Sequence, residues 1–342
     1  MIIKKHIFWV AAMAGVLCFA CNRKQKTLPS PDKSEVKEIQ KTLNVRIKRY
    51  EQALYNIPKD SLESGLRNLQ TDYAFFLGNN PITPEMVQQM SNHLNDKNNK
   101  QLYEETQKKF PNLTDLEKQF AEAFSLLRYY FPDAAVPQIY TFISGLDYEN
   151  FVIYYTDTLL IPLDLFLGKN YKLYKQMGTT VPQFIKRRFS SEYILTSCFN
   201  EISYRYIKYN SLQTNLLDAM IEDGKRLLFM EMMLPNLPDS LIFPFPQEKI
   251  EWVKNNEPSI WGYLIENNYL YSRDKMVVRK LVDDAPFTSY FGNESSGRTG
   301  AWIGWQICRA WVHKNPQKKI TELFNETDAQ KILTASKYKP QK

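Results

Sequence analysis

The sequence predicts an α+β fold: a mainly helical domain with a small antiparallel sheet at its centre. Three observations predict it. Apolar residues recur at three- and four-residue spacing through most of both halves. Between residues 138 and 163 the texture turns β-branched and aromatic instead. Glycine is scarce, 12 residues in 342, which argues against a glycine-rich barrel or a propeller. An apolar content of 44% and an aromatic content of 14% are enough to fill a large core.

The chain opens with a different kind of segment. Lys4 and Lys5 precede a charge-free, mostly apolar run from Ile7 to Ala20, and Cys21 follows small Ala20. That pattern is a secretory signal ending in a lipobox-like site. About 14 uncharged residues are short for a membrane span, which needs roughly 20. Residues 1–20 are therefore expected to be removed and Cys21 to be acylated, anchoring the chain to a membrane. Leu17 lies one position before the place such sites usually reserve for Leu, which Cys18 occupies. An uncleaved signal-anchor helix is the alternative. Residues 21–34 are polar, with Pro29 and Pro31, and read as a lipidated tether.

Residues 35–338 then read as one folded domain, with 339–342 as a tail. Helices are expected over Glu51–Ile57, Ser61–Leu77, Pro84–Leu94 and Thr114–Tyr130, the last opened by a capping box of Thr114 and Glu117. Gln138–Ser144 and Phe151–Tyr155, separated by Gly145-Leu146-Asp147, read as a hairpin, and Leu159–Leu163 as a third strand. Helices follow over Ser191–Tyr209, Gln213–Leu234, Gln247–Asn255, Lys275–Asp284 and Thr299–His313. Pro235, Pro238, Pro244 and Pro246 make a rigid loop between two of them.

Composition excludes some functions. The formal charge is +7, and losing Lys4 and Lys5 with the signal leaves +5, mild for so long a chain. No Arg/Lys stripe with interleaved aromatics marks a nucleic-acid binder. Of four cysteines only Cys198 and Cys308 remain after Cys18 and Cys21, and both sit in apolar helical contexts, where a free buried thiol is usual. A periplasmic location would permit a disulfide between them.

Two strands followed by two long helices are also the skeleton of zincin metallopeptidases, which need His at i and i+4 of one helix and Glu at i+1. Here the corresponding helix carries Asn200-Glu201-Ile202-Ser203-Tyr204, and the next carries Glu222-Asp223-Gly224. The general-base Glu and a candidate third-ligand Glu are present, but Asn200 and Tyr204 stand where both imidazoles belong. The three histidines are His6, in the signal, and the distant His93 and His313. The reading is a zincin-like fold with a degenerate metal site and neither metal nor other cofactor. Glu201 would need a counter-charge, for which Lys225 and Arg226 are candidates.

Gly292-Asn293-Glu294-Ser295-Ser296-Gly297-Arg298-Thr299 is one letter from a phosphate-binding loop, with Arg298 in place of Lys. The strand before it, Ala285–Thr288, is weak, and no later strand supplies an Asp, so nucleotide binding is rejected. Ser295 or Ser296 would instead cap a helix whose exposed amides, with Arg298, could accept an anion. On that helix Gly300 and Gly304 share one face and admit a close neighbour. Trp302, Trp305 and Trp311 are read as core, with an exposed docking ridge of Trp302 and Trp305 as the alternative.

Several stretches resemble the gliding-motility lipoprotein family GldB of Bacteroidetes. They are Leu160–Gly168, Glu222–Lys225, Asn256–Trp261, Gly297–Ile307, Asp328–Leu333 and Tyr338-Lys339-Pro340. The resemblance covers essentially the mature length and implies an envelope lipoprotein required for gliding in species that glide. It also implies a distant likeness to predicted zinc peptidases whose His ligands are eroded, and it transfers no catalytic residue. In Bacteroidetes an acid-rich segment after the lipidated Cys accompanies surface export; residues 22–26 hold none, so an outer-membrane, periplasm-facing location is expected.

The resulting expectation is a non-catalytic lipoprotein that binds a protein partner in the envelope, with no nucleic-acid or nucleotide ligand. Two other classes stay open. One is a divergent metallopeptidase with Glu201 as base and Glu222 as ligand. The other is a cell-wall glycan binder, drawn from six Trp and 21 Tyr.

Overall fold

A computed structural model describes residues 28–149, 151–176, 181–210, 212 and 215–340. The expected signal and Cys21 lie outside the described residues. The helices used below are α1 (Lys33–Lys41), α2 (Tyr50–Tyr55), α3 (Leu62–Gln70), α4 (Pro84–Asn95), α5 (Lys97–Lys109) and α6 (Thr114–Tyr130). After the sheet come α7 (Ile194–Tyr206), α8 (Leu216–Met233), α9 (Gln247–Glu266), α10 (Lys275–Val282), α11 (Thr299–Lys314) and α12 (Ala329–Ser336). The strands are β1 (Ile47–Arg49), β2 (Gln138–Phe142), β3 (Ile153–Tyr155) and β4 (Thr158–Pro162).

The mainly helical expectation holds, but the sheet is mixed, not antiparallel. Its order is β1-β2-β4-β3, with β1–β2 and β2–β4 parallel and only β3–β4 antiparallel. The expected β2–β3 hairpin does not form. After β2 the chain crosses to the far side of the sheet, and β3 turns back onto β4 through Thr156, in the left-handed region at φ 50°. Central β4 is a continuous apolar run buried along Leu159–Pro162, the pattern a parallel strand covered on both faces requires. Asp164, just beyond it, anchors the crossing: its carboxylate accepts the Ser144 and Leu146 backbone N–H groups at 2.9 and 2.8 Å. Burial pushes that carboxyl upward, against those hydrogen bonds.

Helix α8 is the central element. Most of its residues are buried on every side, and a helix apolar all round belongs inside. Asn215 caps it by accepting the Asp218 N–H at 3.1 Å. Its largest contact is with α11, where two glycines meet. A Cβ on Gly304 would stand 1.7 Å from the Met220 carbonyl oxygen, and one on Gly224 2.3 Å from the Gly304 carbonyl carbon. Gly304 therefore makes the close approach read from sequence, and Gly224 is the partner that reading missed.

Other expectations change locally. The helix expected over 61–77 is broken at Thr71–Tyr73. Helix α9 runs through Pro258 rather than stopping at Asn255. Interior proline costs about 3 kcal/mol, yet Ile260 and Leu264 beyond it are fully buried, and their packing carries the helix on. The capping box at α6 is absent. The Asn112 side chain accepts the Thr114 N–H, while Glu117 accepts the Ile47 amide at 2.9 Å and pairs with Arg46.

Candidate functional site

Helix α7 buries Ile194, Leu195, Cys198, Phe199 and Ile202 along one stripe, leaving Asn200, Glu201 and Tyr204 on its flank. Helix α8 presents Glu222 and Arg226 one turn apart. Arg226 donates to Glu222 Oε1 at 2.9 Å and to Asp223, and its guanidinium lies 5.1 Å over the Tyr204 ring. Asn200 Nδ2 donates to Glu201 Oε1 at 3.0 Å. Burial raises the Glu201 carboxyl above its usual range, opposed by that hydrogen bond and by the Arg226 charge. Tyr204 and Glu222 are thus bridged by the Arg226 guanidinium, whose charge also acts on Glu201, and Asn200 bonds Glu201. The other counter-charge candidate, Lys225, turns away: its ammonium donates to the Lys208 and Glu326 carbonyls and ties two loops to α8.

The charges continue inward. Asp223, 3% exposed, accepts from Arg226 through one oxygen and from Arg298 through the other at 3.0 Å. Arg298 also donates to the Val282 carbonyl at 3.1 Å and lies 3.7 Å from Asp284, which Arg188 grips at 2.7 Å. Burial would raise the Asp284 carboxyl, but Arg188 and Arg298 outweigh it and hold it below the usual carboxylate range. Arg298 makes these bonds from the left-handed region, φ 55°, a conformation that costs a non-glycine residue free energy. The surrounding bonds outweigh that cost.

Ser295 and Ser296 do not cap α11. Both are fully buried; Ser295 bonds the backbone of Thr288 and Gly292, and Ser296 donates to the Gly297 carbonyl at 2.9 Å. The first α11 amide, Thr299, reaches the Thr288 hydroxyl instead. Trp302 and Trp305 lie inside the core, as the packing reading expects, and not on an exposed ridge. Their indoles are spoken for: Trp302 donates to Glu257 at 3.2 Å and Trp305 to Glu231 at 2.7 Å. Tyr338 donates to the other Glu257 oxygen at 2.9 Å, and Arg309 grips Glu231 through two nitrogens.

Cys198 and Cys308 are free and buried, and burial pushes the Cys308 thiol up to about 12 against the pull of Lys225. Among the described residues no group of three or more His, Cys, Asp or Glu side chains is placed to hold a metal ion. None of the described helices is long and apolar enough to cross a membrane.

Four of the six stretches that carried the family resemblance bond to one another. Asp223 meets Arg298, Gly224 meets Gly304, and Glu257 joins Trp302 to Tyr338. The family model for gliding motility protein GldB matches residues 30–340. The chain belongs to the GldB family. GldB proteins are gliding-motility-associated lipoproteins, which points to a location in the cell envelope. No curated protein and no solved structure matches the chain. The zincin-like arrangement has no solved neighbour to support it; the GldB assignment rests on the family match and on these interlocking stretches.

Proposed function

We propose that this GldB-family protein is a non-catalytic envelope lipoprotein, anchored through Cys21 to the periplasmic face of the outer membrane. It serves as a binding or scaffold component of gliding-motility or related envelope machinery. One observation carries the non-catalytic part: the Arg226 guanidinium bonds Glu222 and lies over the Tyr204 ring, two of the positions that the zincin-like reading gives to metal ligands. A guanidinium stays protonated in proteins and offers no acceptor, so it cannot activate a water. The antiparallel edge strand β3, followed after β4 by α7 and α8, keeps the zincin order of elements and supports reading the α7–α8 site as a degenerate descendant.

The test is elemental analysis of the purified full chain, with peptide hydrolysis measured for it and for Glu201→Gln. Sub-stoichiometric zinc and no Glu201-dependent hydrolysis are expected. Stoichiometric zinc with hydrolysis lost in Glu201→Gln would establish the metallopeptidase instead. The glycan alternative needs an exposed tryptophan row, and the tryptophans give it no support: Trp302, Trp305 and Trp311 are buried, Trp252 and Trp261 half-buried.

A further inference from the structure

A cleft of about 370 Å³ opens on the opposite side of the sheet from β3, between the α1–β1 connection and the start of β2. Its volume is within the range of small-molecule sites, roughly 300–1,000 Å³. The walls combine two chemistries. Leu43 and Val136 are half-buried and apolar, with Pro137 beside them, while Arg46, Lys48 and Arg128 bring positive charge, and no carboxylate lines the space.

The three cations are not equivalent. Arg46 pairs with Glu117 at 3.2 Å and Lys48 with Asp72 at 3.4 Å, both acids lying outside the lining. Arg128 is half-buried, and its Nε donates to the Ala134 carbonyl at 3.1 Å, which fixes the plane of the guanidinium. Among the described residues its two terminal nitrogens have no acceptor. A fixed, unpaired guanidinium fork is the geometry that takes two oxygens of one anion. With two of three charges already balanced, the cleft has one uncompensated charge beside an apolar wall.

We propose that this cleft binds a phosphate-bearing amphiphile, with the phosphate on Arg128 and the apolar part against Leu43, Val136 and Pro137. A phosphodiester carries one negative charge, which matches the one unpaired cation. A membrane lipid head group is the favoured source over free phosphate. Tyr129, next to Arg128, accepts the Asp32 amide at 3.3 Å, so the chain enters the domain beside the cleft. From residue 28 back to Cys21 the chain spans at most about 25 Å, at roughly 3.3–3.6 Å per residue. The lipid source thus rests on the Cys21 anchor proposed above; the phosphate site itself does not.

The experiment is calorimetric titration of the full chain, in non-ionic detergent, with dihexanoyl phosphatidylglycerol and separately with inorganic phosphate. The lipid should bind at least tenfold more tightly than phosphate, and equal affinities would assign the site to free phosphate instead. Arg128→Gln should weaken binding about ten- to a hundred-fold, the worth of a charged hydrogen-bonded contact. Arg128→Lys should fall in between. Val136→Glu leaves Arg128 in place but puts a carboxylate in the half-buried wall, and should abolish binding even if Arg128→Gln unfolds the chain. Absence of binding at millimolar ligand, or binding untouched by a folded Arg128→Gln or Val136→Glu, would overturn the proposal. None of these outcomes depends on metal content or hydrolysis, so the cleft and the α7–α8 reading fail separately.

Discussion

The helices before the sheet and those after it handle charge in opposite ways. In α1, α3 and α5 the ion pairs are local and exposed: Glu38 with Lys41, Glu63 with Arg67, Glu105 with Lys108, each within one helical turn. In α8 and α11 the pairs are enclosed, and two of them join residues distant in sequence: Asp223 with Arg298 and Glu231 with Arg309. Local exposed pairs adjust a helix's solubility and add little stability. Enclosed pairs fix which elements meet, because each charge is costly without its partner. Much of the specificity of this fold therefore lies in its C-terminal half, where most of the family stretches also fall.

That contrast can be broken at graded points. The largest effect is expected at the helix crossing. Gly304→Ala puts a methyl group into the Met220 carbonyl, which only a shift of the α8 or α11 backbone can relieve, and should leave no stably folded chain. Loss of soluble, cooperatively melting protein would show it. Next, Asp223→Ala leaves Arg226 and Arg298 facing each other and should cost about 3–5 kcal/mol in denaturant unfolding.

A smaller effect depends on acid. Because the Asp284 carboxyl is held low, its contribution is fully present above the ordinary aspartate value and is lost as pH falls through its depressed one. Arg188→Gln should therefore destabilise at pH 7, with the difference from the parent protein shrinking below about pH 4.

Glu201 has the opposite sign. Its folded carboxyl is raised, so ionisation disfavours the folded state as pH rises above the ordinary glutamate value. Glu201→Gln should raise Tm by about 1–3 °C at pH 7 and by nothing near pH 3.5. A fall in Tm at neutral pH would mean the carboxylate is held by a cation more strongly than Arg226 alone can manage. The smallest change is expected in the first half: Glu63→Ala should alter stability by about 0.5 kcal/mol at most.

How much could be read from sequence follows from where the information resides. Helix α6 was readable to the residue, and α11 to within one, because their apolar spacing is strong. Helix α5 was not: its Lys- and Asn-rich sequence buries only Leu102 and Thr106, and it is held by an Asp96 cap and by packing. Strand β1 is three residues long and exists because β2 pairs with it, which no local pattern announces. Register likewise was out of reach, since alternation marks strands but does not say which neighbour each one takes. In the candidate site, the placing of Asn200, Glu201 and Tyr204 on one helix flank followed from their spacing, and Arg226, which bridges Tyr204 to Glu222, was already a suspected counter-charge. The Asp223–Arg298 contact spans 75 positions and had no local signal.

The hydrogen bond from Tyr338 to Glu257 has a consequence for the order in which this fold can lock. Glu257 joins an indole from α11 to a phenol 81 positions further along the chain. That junction cannot close until α9, α11 and the segment after α12 have all come together. Locking of the C-terminal core is therefore a late event in folding, and the stretch of chain that carries Tyr338 acts as its latch.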